Sequence, residues 1–201
     1  GRIDFKQARI PGALFFDLEA GSAQDSPLPH MLPTPGAFSA HVSGVGIGDE
    51  DDIIVYDTLG LVSAARIWWM FRTFGARRVR VLDGGLPAWR AAGGALESGP
   101  RTPPAAASFH ARFNAGAVAD RYAVAGAADA GTQILDARSP GRFAGTAPEP
   151  RAGLRGGHMP GACNLPFADI LTPNSTMKRG AALEAAFADA GIDSERPVIT
   201  S

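Results

Sequence analysis

The sequence predicts an α/β protein built from two similar domains, each a parallel sheet with helices on both faces and with a cleft between the domains. Three observations carry that expectation. Short β-branched runs alternate with helical stretches along the chain. Two motifs recur in the same order at nearly one spacing. A proline-rich segment without periodicity separates the copies.

In the first copy, "DDIIVYD" (51–57) is an acidic turn followed by a strand over 53–56. "LVSAARIWWMFRTFG" (61–75) spaces Val62, Ala65, Trp68, Trp69, Phe71 and Arg72 mainly at helical intervals, and Gly75 closes the helix. Trp68 and Trp69 are expected in the interior. "RVRVLDGG" (78–85) is the next strand, ending in a Gly-Gly turn, and "LPAWRAAG" is a short helix. In the second copy "QILDA" (133–137) is a strand and "GAALEAAFADAG" (180–191) is a helix ended by Gly191. A strand over 197–200 follows.

The repeat is carried by "ARIPGALFFDL" (8–18) against "GHMPGACNLPF" (157–167), 149 positions apart. "DDIIVYD" (51–57) against "ERPVITS" (195–201) repeats at about 145. "SGPRTPPAAAS" (98–108) reads as a linker, which sets the domains at 1–100 and 109–201. In register, Asp57 falls opposite the position after Ser201, at the carboxyl end of a strand, where open parallel sheets gather their chemistry. The start lacks an initiator Met and a first strand, so both chain ends are expected to be truncated.

Composition narrows the function. A net charge of −1 gives no global attraction to nucleic acid or an anionic membrane. No apolar stretch approaches the ~20 residues that span a bilayer. Cys163 is the only cysteine, which excludes an intrachain disulfide and a thiolate zinc cluster. It enters a strand where the first copy has Leu14, so it is expected to pack as a small hydrophobe. His158 and Met159 shape the "GHMPGA" turn, Asp136 and Arg138 read as a strand-end ion pair, and "GDEDD" (48–52) is a solvated turn without calcium-ligand spacing. Lysine is confined to Lys6 and Lys178, so the cationic groups are almost all guanidinium forks suited to anions.

Four long stretches carry a family resemblance: "IPGALFFDLEAGSAQDSPLPHMLP" (10–33), "SAARIWWMFRTFG" (63–75) with "LDGGLPAW" (82–89), "LDARSPGRFAG" (135–145) and "EPRAGLRGGHMPGACNLPF" (149–167). Over essentially the whole chain the sequence resembles the tandem-rhodanese sulfurtransferases, most closely those acting on 3-mercaptopyruvate. The resemblance implies a catalytically silent first domain, with Asp57 in the nucleophile's place. It implies a nucleophilic cysteine directly after Ser201, opening a six-residue loop. Sulfur would pass from 3-mercaptopyruvate through a cysteine persulfide to a thiol or cyanide acceptor, with no metal or organic cofactor, in the cytoplasm. Arg142 and Arg151 match the substrate-anchoring arginines. His30 matches a relay histidine, with Glu19 as its acidic partner beside the neighbouring Asp17. Thiosulfate sulfurtransferase is the alternative within the family, although thiosulfate has no carboxylate for a second arginine. A noncatalytic rhodanese binding module and a phosphatase of the same fold are the readings from other classes.

Overall fold

The computed structural model describes every residue except 102, 103 and 152, and at 128 and 129 the backbone alone. Its contacts divide the chain into two units, Gly1–Ala117 and Val118–Ser201. Among the described residues no helix is long and apolar enough to cross a membrane.

Unit 1 runs α1 (Arg2–Gln7), α2 (Pro35–Val45), β1 (Ile53–Val55), α3 (Ala64–Thr73), β2 (Val79–Val81) and α4 (Gly85–Ala91). β1 and β2 pair in parallel, with Ile53 opposite Val79 and Val55 opposite Val81. α2 was not anticipated from the sequence, yet its signals are local. Thr34 Oγ1 accepts the Ala37 amide, Pro35 opens the first turn, and Gly46 ends the helix at φ 92°. α2 and α3 meet through aromatic rings. Phe38 stacks on Phe74 at 4.2 Å and meets Phe71 and Phe109 edge-on at 5.5 and 5.8 Å. Trp69 packs against this cluster. Trp68 does not: it is 37% exposed, and its Nε1 donates to the Val79 carbonyl along the edge of β2.

The domain boundary differs from the expected one. Phe109 is buried in the core of unit 1. Its amide donates to Ser43 Oγ and the Ala111 amide to Ser39 Oγ, both on α2. The Arg112 and Asn114 amides donate to the carbonyls of Phe74 and Thr73. Unit 1 therefore ends at Ala117 rather than near residue 100, and the proline-rich 98–108 segment is not the divider. The physical reason is that one buried ring and four satisfied amides hold a strap that has no periodicity of its own.

Unit 2 runs α5 (Arg121–Asp129), β3 (Gln133–Asp136), α6 (Pro140–Phe143), β4 (Ala162–Asn164), α7 (Ala181–Asp189) and β5 (Val198–Thr200). Its sheet is parallel with the order β4-β3-β5. The central strand β3 is buried at Ile134, Leu135 and Asp136, as a parallel strand covered on both faces should be. Cys163 lies on β4, partly buried against the cluster of Leu135, Leu165 and Ile192. In the 157–161 turn, His158 stacks on Phe143 at 3.8 Å and its Nδ1 pairs with the Phe143 carbonyl, a structural role.

The strap generates a test. Phe109→Ala should cost unit 1 about 3–5 kcal/mol, the usual range for deleting a buried ring. All three tryptophans lie in unit 1, at 68, 69 and 89, so urea unfolding followed by their fluorescence reads that unit. An unchanged midpoint would return the boundary to residue 100.

Candidate active site

The carboxyl ends of the strands carry the charged groups. After β1 the chain turns through Asp57 to the start of α3, and four backbone amides converge on that one carboxylate. Leu59 and Gly60 donate to Oδ1 at 3.0 and 2.6 Å, and Ser63 and Ala64 donate to Oδ2 at 2.7 and 3.0 Å. Ser63 and Ala64 stand at the N-terminus of α3, where free amides and the helix dipole favour an anion. Burial pushes the Asp57 carboxyl up, but the amides of Ala64, Ser63, Leu59 and Gly60 outweigh it and hold it below the usual range. The loop closes against the Gly-Gly turn. A Cβ on Gly85, at φ 56°, would stand 2.7 Å from the Asp57 carbonyl oxygen.

At the end of β3, Asp136 collects a side chain instead. Asp136 is 1% exposed, and Arg138 closes on it with Nε at 3.0 Å from Oδ1 and Nη2 at 2.5 Å from Oδ2. Burial pushes the Asp136 carboxyl up, and the hydrogen bonds from Arg138 overcome that and hold it low. The expected strand-end ion pair is present and extends further. Arg138 Nη1 donates to Glu149 Oε1 at 2.9 Å, and Arg142 donates from Nε and Nη2 to Glu149 Oε2 at 3.0 and 2.7 Å. The Glu149 side chain is 5% exposed, and the hydrogen bond from Arg142 is the main cause of its lowered pKa. One edge of the Arg142 fork is thus occupied by Glu149, and Nη1 has no ion-pair partner among the described residues.

Ser201 continues the sheet: its amide donates to the Leu135 carbonyl and its own carbonyl accepts from Ala137. The carboxyl end of β5 therefore lies beside the segment that carries Arg138 and Arg142. Arg151 follows on an exposed bend, and its guanidinium forms no ion pair among the described residues. Glu19 and His30 are brought together in unit 1, with His30 Nε2 2.6 Å from Glu19 Oε1. Asp17 pairs instead with Arg2.

Two contributors were missed by sequence reasoning. Glu149 had a readable signal, since it is the sole acidic residue between Asp136 and Asp169 and stands among four arginines. Arg66 had none. Its Nη2 donates to the His30 carbonyl, its guanidinium lies 4.6 Å over the Trp69 ring, and its Nε is buried with no partner among the described residues. Burial lowers its pKa from the ordinary arginine value.

The amide cradle supports a stability prediction. Asp57→Ala removes the acceptor of four donors and should cost about 2–3 kcal/mol near neutral pH. The folded-state pKa of Asp57 is depressed, so its contribution is complete above the ordinary carboxylate range and is lost as pH falls through the lower folded value. The stability gap between wild type and variant should therefore close in acid, as measured by urea unfolding from pH 7 down to pH 2. A gap that persists at pH 2 would deny the carboxylate this role.

The Rhodanese-like domain family matches residues 2–92. The 3-mercaptopyruvate sulfurtransferase of Escherichia coli (strain K12) is 42% identical over 98% of this chain, which spans 70% of that protein. The Homo sapiens 3-mercaptopyruvate sulfurtransferase is 36% identical over the full chain and 68% of its own length. Thiosulfate/3-mercaptopyruvate sulfurtransferase 1, mitochondrial, of Arabidopsis thaliana is 41% identical, and this chain spans 58% of its length. The crystal structure of SseA from E. coli, described with the 3-mercaptopyruvate sulfotransferases, superposes with a TM-score of 0.88 at 39% identity, covering 98% of this chain and 73% of that one. The chain belongs to the rhodanese-fold sulfurtransferases, among the 3-mercaptopyruvate sulfurtransferase homologues.

Proposed function

We propose that the full-length protein transfers the sulfur of 3-mercaptopyruvate, through a cysteine persulfide, to a thiol or cyanide acceptor in the cytoplasm. The observation that carries this reading is the ordered chain Asp136–Arg138–Glu149–Arg142 at the carboxyl end of β3, next to Ser201. An arginine held in place with one N–H edge unused suits a small α-keto carboxylate. Arg151, exposed on the following bend, is proposed as the second anchor.

The nucleophile in this reading is a cysteine directly after Ser201. Its thiolate attacks the sulfur of 3-mercaptopyruvate, an S–S bond forms, and the C–S pair leaves as the enolate of pyruvate, which takes a proton. An acceptor thiolate or cyanide then attacks the outer sulfur and returns the cysteine thiolate. Thiolate chemistry needs a depressed pKa. The Asp57 loop supports the idea that a turn of this kind, ending at a helix N-terminus, supplies it, since four amides there hold a carboxyl below its usual range. His30, oriented by Glu19, is proposed as the proton relay. Thiosulfate is the second donor reading, favoured by the double name of the Arabidopsis relative. In a noncatalytic module the residue after Ser201 would not be cysteine.

Kinetics on the full-length protein separate these readings. Arg142→Ala should raise KM for 3-mercaptopyruvate by about 10- to 100-fold, the worth of one or two charge-assisted hydrogen bonds. Its effect on thiosulfate should be smaller. Cys163→Ser should keep most of the activity, and replacing the residue after Ser201 should abolish it. A gain of one sulfur atom on Cys163 in the mass spectrum after donor treatment would make that residue the nucleophile and sink the assignment.

A further inference from the structure

Away from the strand ends, unit 1 carries a polar cavity of about 480 Å³ where the end of α3 meets the strap around Phe109. Ala76 and Phe109, both buried, contribute its apolar lining. The rest of the lining is charged, with Arg77, Arg78 and Arg112 against Asp49 and Glu50, and His110 beside them.

Both walls are fixed through their backbones. Gly75 lets them meet: at φ 94°, a Cβ there would stand 3.2 Å from the Arg112 Cβ and from its carbonyl oxygen. The Arg112 amide donates to the Phe74 carbonyl, and Arg72 Nη1 donates to the Arg77 carbonyl at 3.2 Å. The carboxyl end of a helix ordinarily disfavours an anion. Here the carbonyls of Phe71, Arg72, Thr73 and Phe74 already accept from the amides of Ala76, Gly75, Asn114 and Arg112. The side chains are left to set the sign.

The carboxylates of the cavity are engaged. Asp49 accepts the His110 amide on Oδ1 at 2.8 Å and pairs through Oδ2 with His110 Nδ1 at 2.6 Å. Those two contacts are the main cause of its lowered pKa, and the nearby Arg112 charge adds to it. Glu50 meets Arg78 at 3.5 Å. The guanidinium groups of Arg77 and Arg112 have no hydrogen bond or ion pair among the described residues, and both residues are exposed. Two forks from different segments therefore line one cavity with no carboxylate of the chain on either.

We infer that this cavity binds a small phosphorylated molecule, with its phosphate group held by Arg77 and Arg112. A phosphate monoester is a dianion with three free oxygens, so two forks can each donate to it, whereas a monocarboxylate suits one fork. The volume lies within the range of small-molecule sites, about 300–1,000 Å³, and leaves room for an organic group beside Ala76 and Phe109.

The test titrates the full-length protein with inorganic phosphate and with glycerol 3-phosphate at constant ionic strength. The readout is the NMR shifts of the Ala76, Arg77 and Arg112 amides and of the arginine Nε–H groups. Saturable shifts at these groups are expected, with glycerol 3-phosphate binding more tightly than phosphate. Arg77→Gln and Arg112→Gln should each weaken binding by about tenfold or more, the worth of a lost charge-assisted contact. Arg142→Ala should leave the titration unchanged. Shifts that do not saturate, or that chloride reproduces, overturn the proposal on the wild-type protein alone. Binding that survives both Gln variants and disappears in Arg142→Ala overturns it by placing the phosphate at the proposed keto-acid site. No readout uses sulfur transfer, so the result stands apart from the proposed activity.

Discussion

A parallel strand hands the chain over to a turn whose amides and carbonyls the sheet cannot satisfy, and each unit meets that demand with an aspartate at the strand end. Asp57 gathers backbone amides. Asp136 gathers an arginine. The second solution has the longer reach. An unpaired charge at 1% exposure would cost several kcal/mol, so Arg138 is drawn down onto Asp136. That leaves Nη1 of Arg138 directed at Glu149, and Glu149 in turn fixes Arg142. The orientation of the proposed substrate arginine is thus set by a buried carboxylate it does not touch.

α3 serves unit 1 in a related way. Its N-terminal amides complete the cradle around Asp57, and one turn further on Arg66 reaches the His30 carbonyl while its guanidinium rests on Trp69. His30 sits at φ 57°, a conformation that non-glycine residues adopt sparingly. The arginine from α3 and the Glu19 carboxylate hold that loop from its backbone and from its imidazole respectively. A loop with strained backbone keeps one geometry only when its surroundings over-determine it, and these two contacts do so.

Much of this was legible in the residues. The β-branched runs at 53–56, 133–137 and 197–200 became β1, β3 and β5, and Gly75 and Gly191 fall after α3 and α7 with positive φ. The pairing of Glu19 with His30 followed from the family resemblance rather than from spacing. What escaped was non-local. The strap around Phe109 depends on Ser39 and Ser43, which lie 72 and 66 positions away from their partners and carry no mark of that use. The hold of Glu149 on Arg142 is local by contrast, seven residues apart, and its signal lay in a lone acidic residue among arginines.

The two copies of the strand-end turn separate scaffold from chemistry. In unit 1 every donor to Asp57 apart from a long contact from Ser63 Oγ is backbone N–H, so the cradle recognises negative charge and shape, and no side chain dictates which anion fills it. A carboxylate there is satisfied on both oxygens. A thiolate in an equivalent cradle, as proposed after β5, would gain the same stabilisation of its charged form. Sulfur keeps enough nucleophilicity at lowered pKa to attack a soft centre, which a carboxylate so bound does not. In the proposed reading, the difference between the two strand ends lies in the single side chain each carries, and the arginines of unit 2 are the proposed selectors of the sulfur donor.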